Sequence, residues 1–339
     1  MRREVELALM DRMLACVDRR APEMALAPAL RAVSDYTSPA RFAAEEAVLF
    51  RDYPLLLAHS SQMPNPGDYL THDLTGAPIL LVRDGAGLVR AFLNTCRHRG
   101  ARLIEGAGEG LTRIGCPFHA WNYDLEGAPA FIPQPEGFAG LDRAAFSLTR
   151  LPCVEKYGFI WVKPTPGGEI EIDAFLAGMG DDFAHFEQER FSIHPPDLYR
   201  RKMNWKLALD NFLEIYHINA LHRNTIADLF KPNLFTFDQF GPHFRRGDVK
   251  ANINDLRAMP REQWRLREVA LASYFVFPNA ELFYMQNHLS IFTVFPNGIG
   301  EMVVSTTLHT SEAPRTDAMA KSNRVNWKLL NDVLHEDFG

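Results

Sequence analysis

Cys96-Arg97-His98-Arg99-Gly100 and Cys116-Pro117-Phe118-His119-Ala120-Trp121 decide how this chain is read. Each stretch carries one thiol and one imidazole, as C-x-H, then seventeen residues, then C-x-x-H. Two such loops facing one another would offer two thiolates and two imidazoles. That set suits tetrahedral zinc, but zinc sites more often keep Cys with Cys in one half and His with His in the other. Mixing the two within each half suits a [2Fe–2S] cluster in which histidines replace two thiolates on one iron, which raises the reduction potential to roughly −150 to +300 mV. Arg99, Gly100, Gly115, Pro117, Phe118 and Trp121 accompany the four ligands in keeping with that reading.

Around these loops the pattern is one of short strands. Ile79 to Val82 and Leu88 to Leu93 flank Asp84-Gly85-Ala86-Gly87, which predicts a hairpin. Tyr123 to Gly127 reads as a further turn and Gly158 to Lys163 as a further strand. Pro164-Thr165-Pro166-Gly167-Gly168 then punctuates the chain, and a domain boundary is expected there. The expected organisation is an N-terminal helical segment over 1–52, a small β domain over 53–165 and a larger domain over 166–339.

Upstream, Val5, Leu9, Met10, Met13, Leu14 and Val17 recur at helical spacing, and Ser38-Pro39 reads as the start of a second helix running toward Phe50. Downstream, residues 203–230 look helical. Residues 273–309 look like a four-stranded meander with turns at Pro278-Asn279 and Asn297-Gly298, and a last helix covers 317–337. Composition is ordinary for a globular protein, with 339 residues, 47% of them hydrophobic and 23% charged. A net charge of −6 argues against a nucleic-acid partner. No apolar run reaches the length of a membrane span, and Glu4, Glu6, Asp11 and Arg12 interrupt any signal-peptide core, so a cytoplasmic protein is expected. Cys16 and Cys153 sit among apolar residues and read as small buried hydrophobes.

A second site is suggested by Asp210-Asn211-Phe212-Leu213-Glu214-Ile215-Tyr216-His217-Ile218-Asn219-Ala220-Leu221-His222. Two histidines with acidic groups nearby suit an iron held by two His and one carboxylate, which leaves coordination positions open. On a straight helix, five residues at about 100° each would set His217 and His222 roughly 140° apart, too far round to share a metal. The reading therefore predicts a bulge or break between them. Glu214, three residues before His217, shares its helix face.

A C-x-H/C-x-x-H domain followed by N-F-x-E-x-Y-H-x₄-H resembles the α subunits of Rieske non-haem iron oxygenases, the ring-hydroxylating oxygenase family. The resemblance runs from the arm around Tyr36–Phe50 onward. It implies an α+β fold, with a Rieske β domain inserted into a helix-grip (START/SRPBCC-like) catalytic domain whose antiparallel sheet wraps a long helix. It implies a Rieske [2Fe–2S] cluster on Cys96, His98, Cys116 and His119, with His119 as the electron exit, and a mononuclear Fe(II) on His217, His222 and a C-terminal aspartate. Asp337 is the best match for that ligand, with Asp332 and Glu336 as competitors. Glu214 would link the two centres across a subunit boundary, with Asp210 as the lesser alternative.

The resemblance further implies dioxygen activation next to a small-molecule substrate. Electrons would come from NAD(P)H through a separate ferredoxin or flavin reductase. It implies a head-to-tail homotrimer, with a small β subunit left open. An aromatic substrate is the first expectation. Glu214, where aspartate is usual, resembles the branch acting on quaternary ammonium compounds, so hydroxylation or demethylation of such an amine is the alternative. A Rieske electron carrier and a zinc-stabilised binding protein are the rivals from other classes. Phe275, Phe277, Phe283, Tyr284, Phe292 and Phe295 are candidate pocket residues, although alternating aromatics in strands are usually core, and Asn211, Asn287 and His288 could point inward. The family usually continues well beyond its ligand aspartate, whereas this sequence stops at Gly339, so a truncated fragment is expected.

Overall fold

The computed structural model describes residues 1–25, 27–311 and 314–339, and divides into two compact units. One unit is Ala43–Phe175; the other is built from Met1–Phe42 together with Leu176–Gly339, so the smaller unit is an insertion in the larger.

The inserted unit is all short strands. Leu55–His59, Phe159–Val162 and Cys153–Lys156 form one antiparallel sheet, and Tyr69–His72, Ile79–Arg83 and Val89–Leu93 are the centre of a five-stranded one. A third sheet of Ile114–Gly115, Asn122–Tyr123 and Pro129–Phe131 carries the second Cys/His loop. The expected hairpin is present. Asp84 Oδ1 accepts the N–H groups of Ala86 and Leu88, both at 2.9 Å, and Gly87 takes the left-handed φ of 81° that closes the turn. Trp121, Tyr123, Phe92 and Ile114 pack the core beside the two loops.

In the larger unit, α1 (Arg3–Arg19) buries Leu9, Met10, Met13 and Leu14. Next come β1 (Ser192–Arg201), α2 (Trp205–Phe212), α3 (Ile218–Leu221), β2 (Phe230–Phe240) and β3 (His243–Lys250). α4 (Leu266–Val269), β4 (Ala270–Val276), β5 (Ala280–Tyr284), β6 (His288–Pro296), β7 (Met302–Thr310) and α5 (Asp317–Phe338) complete it. The sheet runs β1-β7-β6-β5-β4-β3-β2, antiparallel throughout. α1 seats against β3 at Gly247, where a Cβ would collide with the Met13 side chain and meet Thr236 Oγ1 at 2.8 Å. Strand alternation sends neighbouring arginines to opposite faces: Arg245 pairs at 2.6 Å with Asp182, in the helical turn Gly180–His185 of the same unit, while Arg246 turns to Asp248.

α5 lies along the sheet. Its last turn is tied down by Arg201 Nε, which donates to Phe338 O at 2.6 Å, and by Phe338 packing edge-on to Phe212 at 5.6 Å. Residues 203–230, expected as one helical stretch, are instead two short helices and a 3₁₀ turn with loops between them. All four cysteines are free. Cys16 is fully buried as expected, whereas Cys153 is only partly so. Among the described residues, no helix is long and apolar enough to cross a membrane.

Candidate metal centres

The two Cys/His loops are built alike. Cys96 N–H donates to Ala101 O at 2.7 Å and Gly100 N–H to Cys96 O at 2.9 Å; Cys116 N–H donates to Trp121 O at 2.7 Å and Ala120 N–H to Cys116 O at 3.1 Å. Each loop turns on a left-handed residue four positions after its cysteine, Gly100 at φ 73° and Ala120 at φ 55°. Both thiols are buried, His98 is half-buried and His119 is exposed. The two imidazoles stand 4.7 Å apart. His98 stacks on Trp121 with the rings 5.1 Å apart and 4° from parallel, which accounts for the tryptophan in the motif. The Tyr123 hydroxyl accepts Arg97 N–H at 3.0 Å and sits 3.3 Å from Cys96 Sγ. Burial pushes the Cys96 thiol up, and burial followed by the neighbouring His119 holds His98 below the usual imidazole range. Two buried thiols without a disulfide, and two imidazoles side by side, fit the donor set of a mixed-ligand cluster.

The second centre begins where α2 ends. Asn204 caps that helix, its side chain accepting Lys206 N–H at 3.1 Å. Beyond Phe212 the Glu214 carboxylate stops the helix from continuing. Glu214 Oε2 takes the N–H groups of Tyr216 and His217, the latter at 3.2 Å, and Oε1 meets His217 Nδ1. His217 then precedes the one-turn α3 and His222 follows it. The break expected between the two histidines is not there: a helical turn joins them, with Leu221 N–H donating to His217 O at 2.8 Å and His222 N–H to Ile218 O at 3.0 Å, and the helix is interrupted instead ahead of His217. The rings come to 5.1 Å and 71°.

α5 brings the carboxylates. Asp337 Oδ1 lies 3.0 Å from His222 Nε2 and 3.6 Å from His217 Nε2, and one ligand atom from each of the three residues falls within 4.8 Å of the others. Asp337 is 4% exposed and His222 1%. Despite the proximity, the buried Asp337 Oδ1 has no hydrogen bond of acceptable geometry. A buried anionic oxygen left in that state is costly, and a shared cation satisfies it. Each imidazole engages a second carboxylate through Nδ1: His217 with Glu214, and His222 with Glu336 Oε2 at 2.6 Å. Thr225 Oγ1 donates to the same Glu336 oxygen at 2.7 Å. A carboxylate accepts, so each Nδ1 that donates to one would leave its Nε2 lone pair toward Asp337, the arrangement in which metal-binding histidines are held. Asp332, one competitor for the ligand role, pairs with Lys328 at the surface, and Asp210 accepts the Tyr36 hydroxyl at 2.6 Å. Glu336, the other competitor, stands behind His222.

A cavity of about 500 Å³ opens from these three residues. Phe212, Phe283 and Phe292 form one wall, with mutual ring distances of 4.9, 5.1 and 6.4 Å. Phe283 and Phe292 were expected there; Phe275, Phe277, Tyr284 and Phe295 do not line it. Phe275 packs on Phe244 and Phe277, Tyr284 stacks on Phe186, and Phe295 is fully buried. Asn211, Asn287 and His288 do line the cavity, as do Arg246 and Lys250, which the sequence did not single out.

Two family models match the chain, the Rieske [2Fe–2S] domain over residues 54–154 and the ring-hydroxylating alpha subunit catalytic domain over 184–339. With both sets of donor residues brought together inside the stretches those models cover, the chain belongs to the Rieske-domain oxygenase alpha subunits. It is similar to the glycine betaine monooxygenase oxygenase subunit of Chromohalobacter salexigens, 30% identical over 237 residues, covering 70% of this chain and 51% of that protein. It is also similar to the carnitine monooxygenase oxygenase subunit of Escherichia coli K12, 32% identical over 189 residues, covering 55% of this chain and 50% of that one. The chain thus spans about half the length of these curated relatives. In fold it resembles a solved quaternary ammonium Rieske monooxygenase, with a TM-score of 0.79 at 20% identity over 90% of this chain and 81% of that one.

Proposed function

We propose that the chain is the terminal oxygenase component of a Rieske-type system acting on a quaternary ammonium compound or related amine. Cys96, His98, Cys116 and His119 would hold the [2Fe–2S] cluster, and His217, His222 and Asp337 the mononuclear Fe(II). The observation that carries this reading is the buried, unbonded Asp337 Oδ1 facing two Nε2 atoms at the head of a cavity. When bound, the cluster supplies electrons one at a time and the Fe(II) supplies dioxygen activation. The protein's own groups do the rest. Glu214 and Glu336 hold the Nδ1 protons and fix both rings. The three phenylalanines keep one side of the cavity apolar, and their faces suit a cationic methylammonium group.

Support for the amine over the aromatic substrate comes from the relatives' names and from Glu214 standing where aspartate is usual. Reducing equivalents would arrive from NAD(P)H through a separate ferredoxin or flavin reductase. Copies would assemble head to tail as a trimer, with or without a small β subunit, in the cytoplasm. Glu214 supports this: it grips His217 yet keeps 44% of its side chain exposed, free to meet an exposed Rieske imidazole of a neighbouring copy. Within the same reading the larger unit is a helix-grip domain, and 1–52, 53–165 and 166–339 are the functional segments.

The test is iron and acid-labile sulfide on anaerobically purified protein, then turnover with a reductase. About three irons and two sulfides per chain are expected, with glycine betaine or carnitine consumed in step with dioxygen and NADH. A colourless, zinc-loaded protein would overturn the oxygenase reading. Turnover of aromatic substrates alone would overturn the amine one.

A further inference from the structure

β3 presents Arg246, Asp248 and Lys250 to the cavity. The first two close an ion pair at 2.6 and 3.1 Å, so their charges cancel within the wall. Lys250 has no carboxylate at ion-pair distance among the described residues; its Nζ donates to Arg267 O at 2.7 Å. Arg267, on α4 behind it, has none either, and its guanidinium donates to the carbonyls of Met285 and His288. Two half-buried cations therefore stand together, bonded only to neutral carbonyl oxygens. Asn252, Asn287 and His288 line the cavity beside Lys250 and add neutral hydrogen-bonding groups. Asp228 and Glu268 also reach the cavity, but both residues are exposed and neither pairs with either cation. The local potential shows in the neighbours. Burial and then Arg267 push Lys250 down to about 8, and burial, then Arg267 and Lys250, push His288 down to about 4.

We propose that Lys250, backed by Arg267, anchors a carboxylate of the substrate, whose reacting end then lies toward His217 and His222. This rests on the oxygenase reading above and narrows it to substrates that carry a carboxylate away from the reacting carbon. Glu268 acts on Lys250 only through space, so a carboxylate accepting from Lys250 would supply the direct ion-pair partner it lacks, and a charge-assisted hydrogen bond is about twice as strong as a neutral one.

The test is calorimetric binding to the iron-loaded, anaerobic protein of three carboxylates, glycine betaine, carnitine and benzoate, each against its methyl ester. Each acid that binds should do so about tenfold or more tightly than its ester. Lys250→Met should cost the acids about that factor and leave the esters nearly unchanged, and Lys250→Arg should keep the preference. If Lys250→Met does not fold, Lys250→Gln, which retains a donor to Arg267 O, carries the same expectation. Esters binding as well as acids, a variant that weakens both alike, or no binding of any acid would overturn the anchor. Lys250-dependent binding of benzoate alone would keep the anchor and refute the ammonium substrate.

Discussion

Glu336 and Asp337, neighbours in the last turn of α5, hold opposite nitrogens of one imidazole: Glu336 Oε2 is 2.6 Å from His222 Nδ1 and Asp337 Oδ1 is 3.0 Å from Nε2. One turn of helix thus supplies both a metal ligand and the group that orients another. Glu336→Gln keeps the shape but weakens the acceptor, and Glu336→Ala removes it. Iron affinity at the mononuclear site should fall about 10–100-fold in the alanine variant and less in the glutamine one, measured by competition with a chelator. The visible spectrum of the cluster should not change.

The two centres should be separable by mutation. Asp337→Asn or His217→Ala should lose the mononuclear iron and turnover while keeping the brown colour. Cys96→Ala should lose the colour. Metal analysis with absorption spectroscopy reads both, and a bleached His217 variant would contradict the assignment of two independent sites.

Tyr123 should tune the cluster. Its hydroxyl reaches Cys96 Sγ at 3.3 Å in a fully buried setting, and hydrogen bonds to the cysteine sulfurs raise cluster potentials. A bond of about 1 kcal/mol corresponds to about 40 mV for one electron. Tyr123→Phe should lower the midpoint potential by that order in a spectroelectrochemical titration.

Glu281 should make stability depend on pH. It is fully buried on β5, bonded to Ser273 through one oxygen while the other has no partner, and burial raises its pKa to about 8. Because the folded state holds this proton more tightly than the unfolded chain, its contribution is complete below the ordinary carboxylate value of 4.5 and is lost as pH rises toward 8. Through that window the wild type should lose roughly 1.4 kcal/mol per pH unit relative to Glu281→Gln. Paired denaturant melts at pH 6 and pH 8 would show it, and a constant difference between the two proteins would refute it.

What the sequence reveals here is what is local. The Cys/His loops are legible because hydrogen bonds spanning four and five residues build each of them, so spacing encodes geometry directly. His217 and His222 are legible as a pair, but not the place where the helix yields, since Glu214 ends it by a side-chain contact that no propensity records. Glu336 could not be told from a rival ligand, because its role depends on a residue 114 positions away. Of the pocket aromatics, Phe283 and Phe292 were legible and Phe275, Phe277, Tyr284 and Phe295 were not, for a different reason. β4 and β6 are buried on both faces, so alternation there does not say which face meets the cavity.

His222 and Glu336 also bracket every strand from β2 to β7. A cation shared by His217, His222 and Asp337 would therefore act as a clasp. It would fasten the start of the sheet's long excursion to its finish, and it would bind only where the chain has already brought those ends together. Metal supply and persistence of the fold then become one equilibrium. Depletion would register first as a loosening of α5 from its seat at Arg201, before any change in the cluster domain.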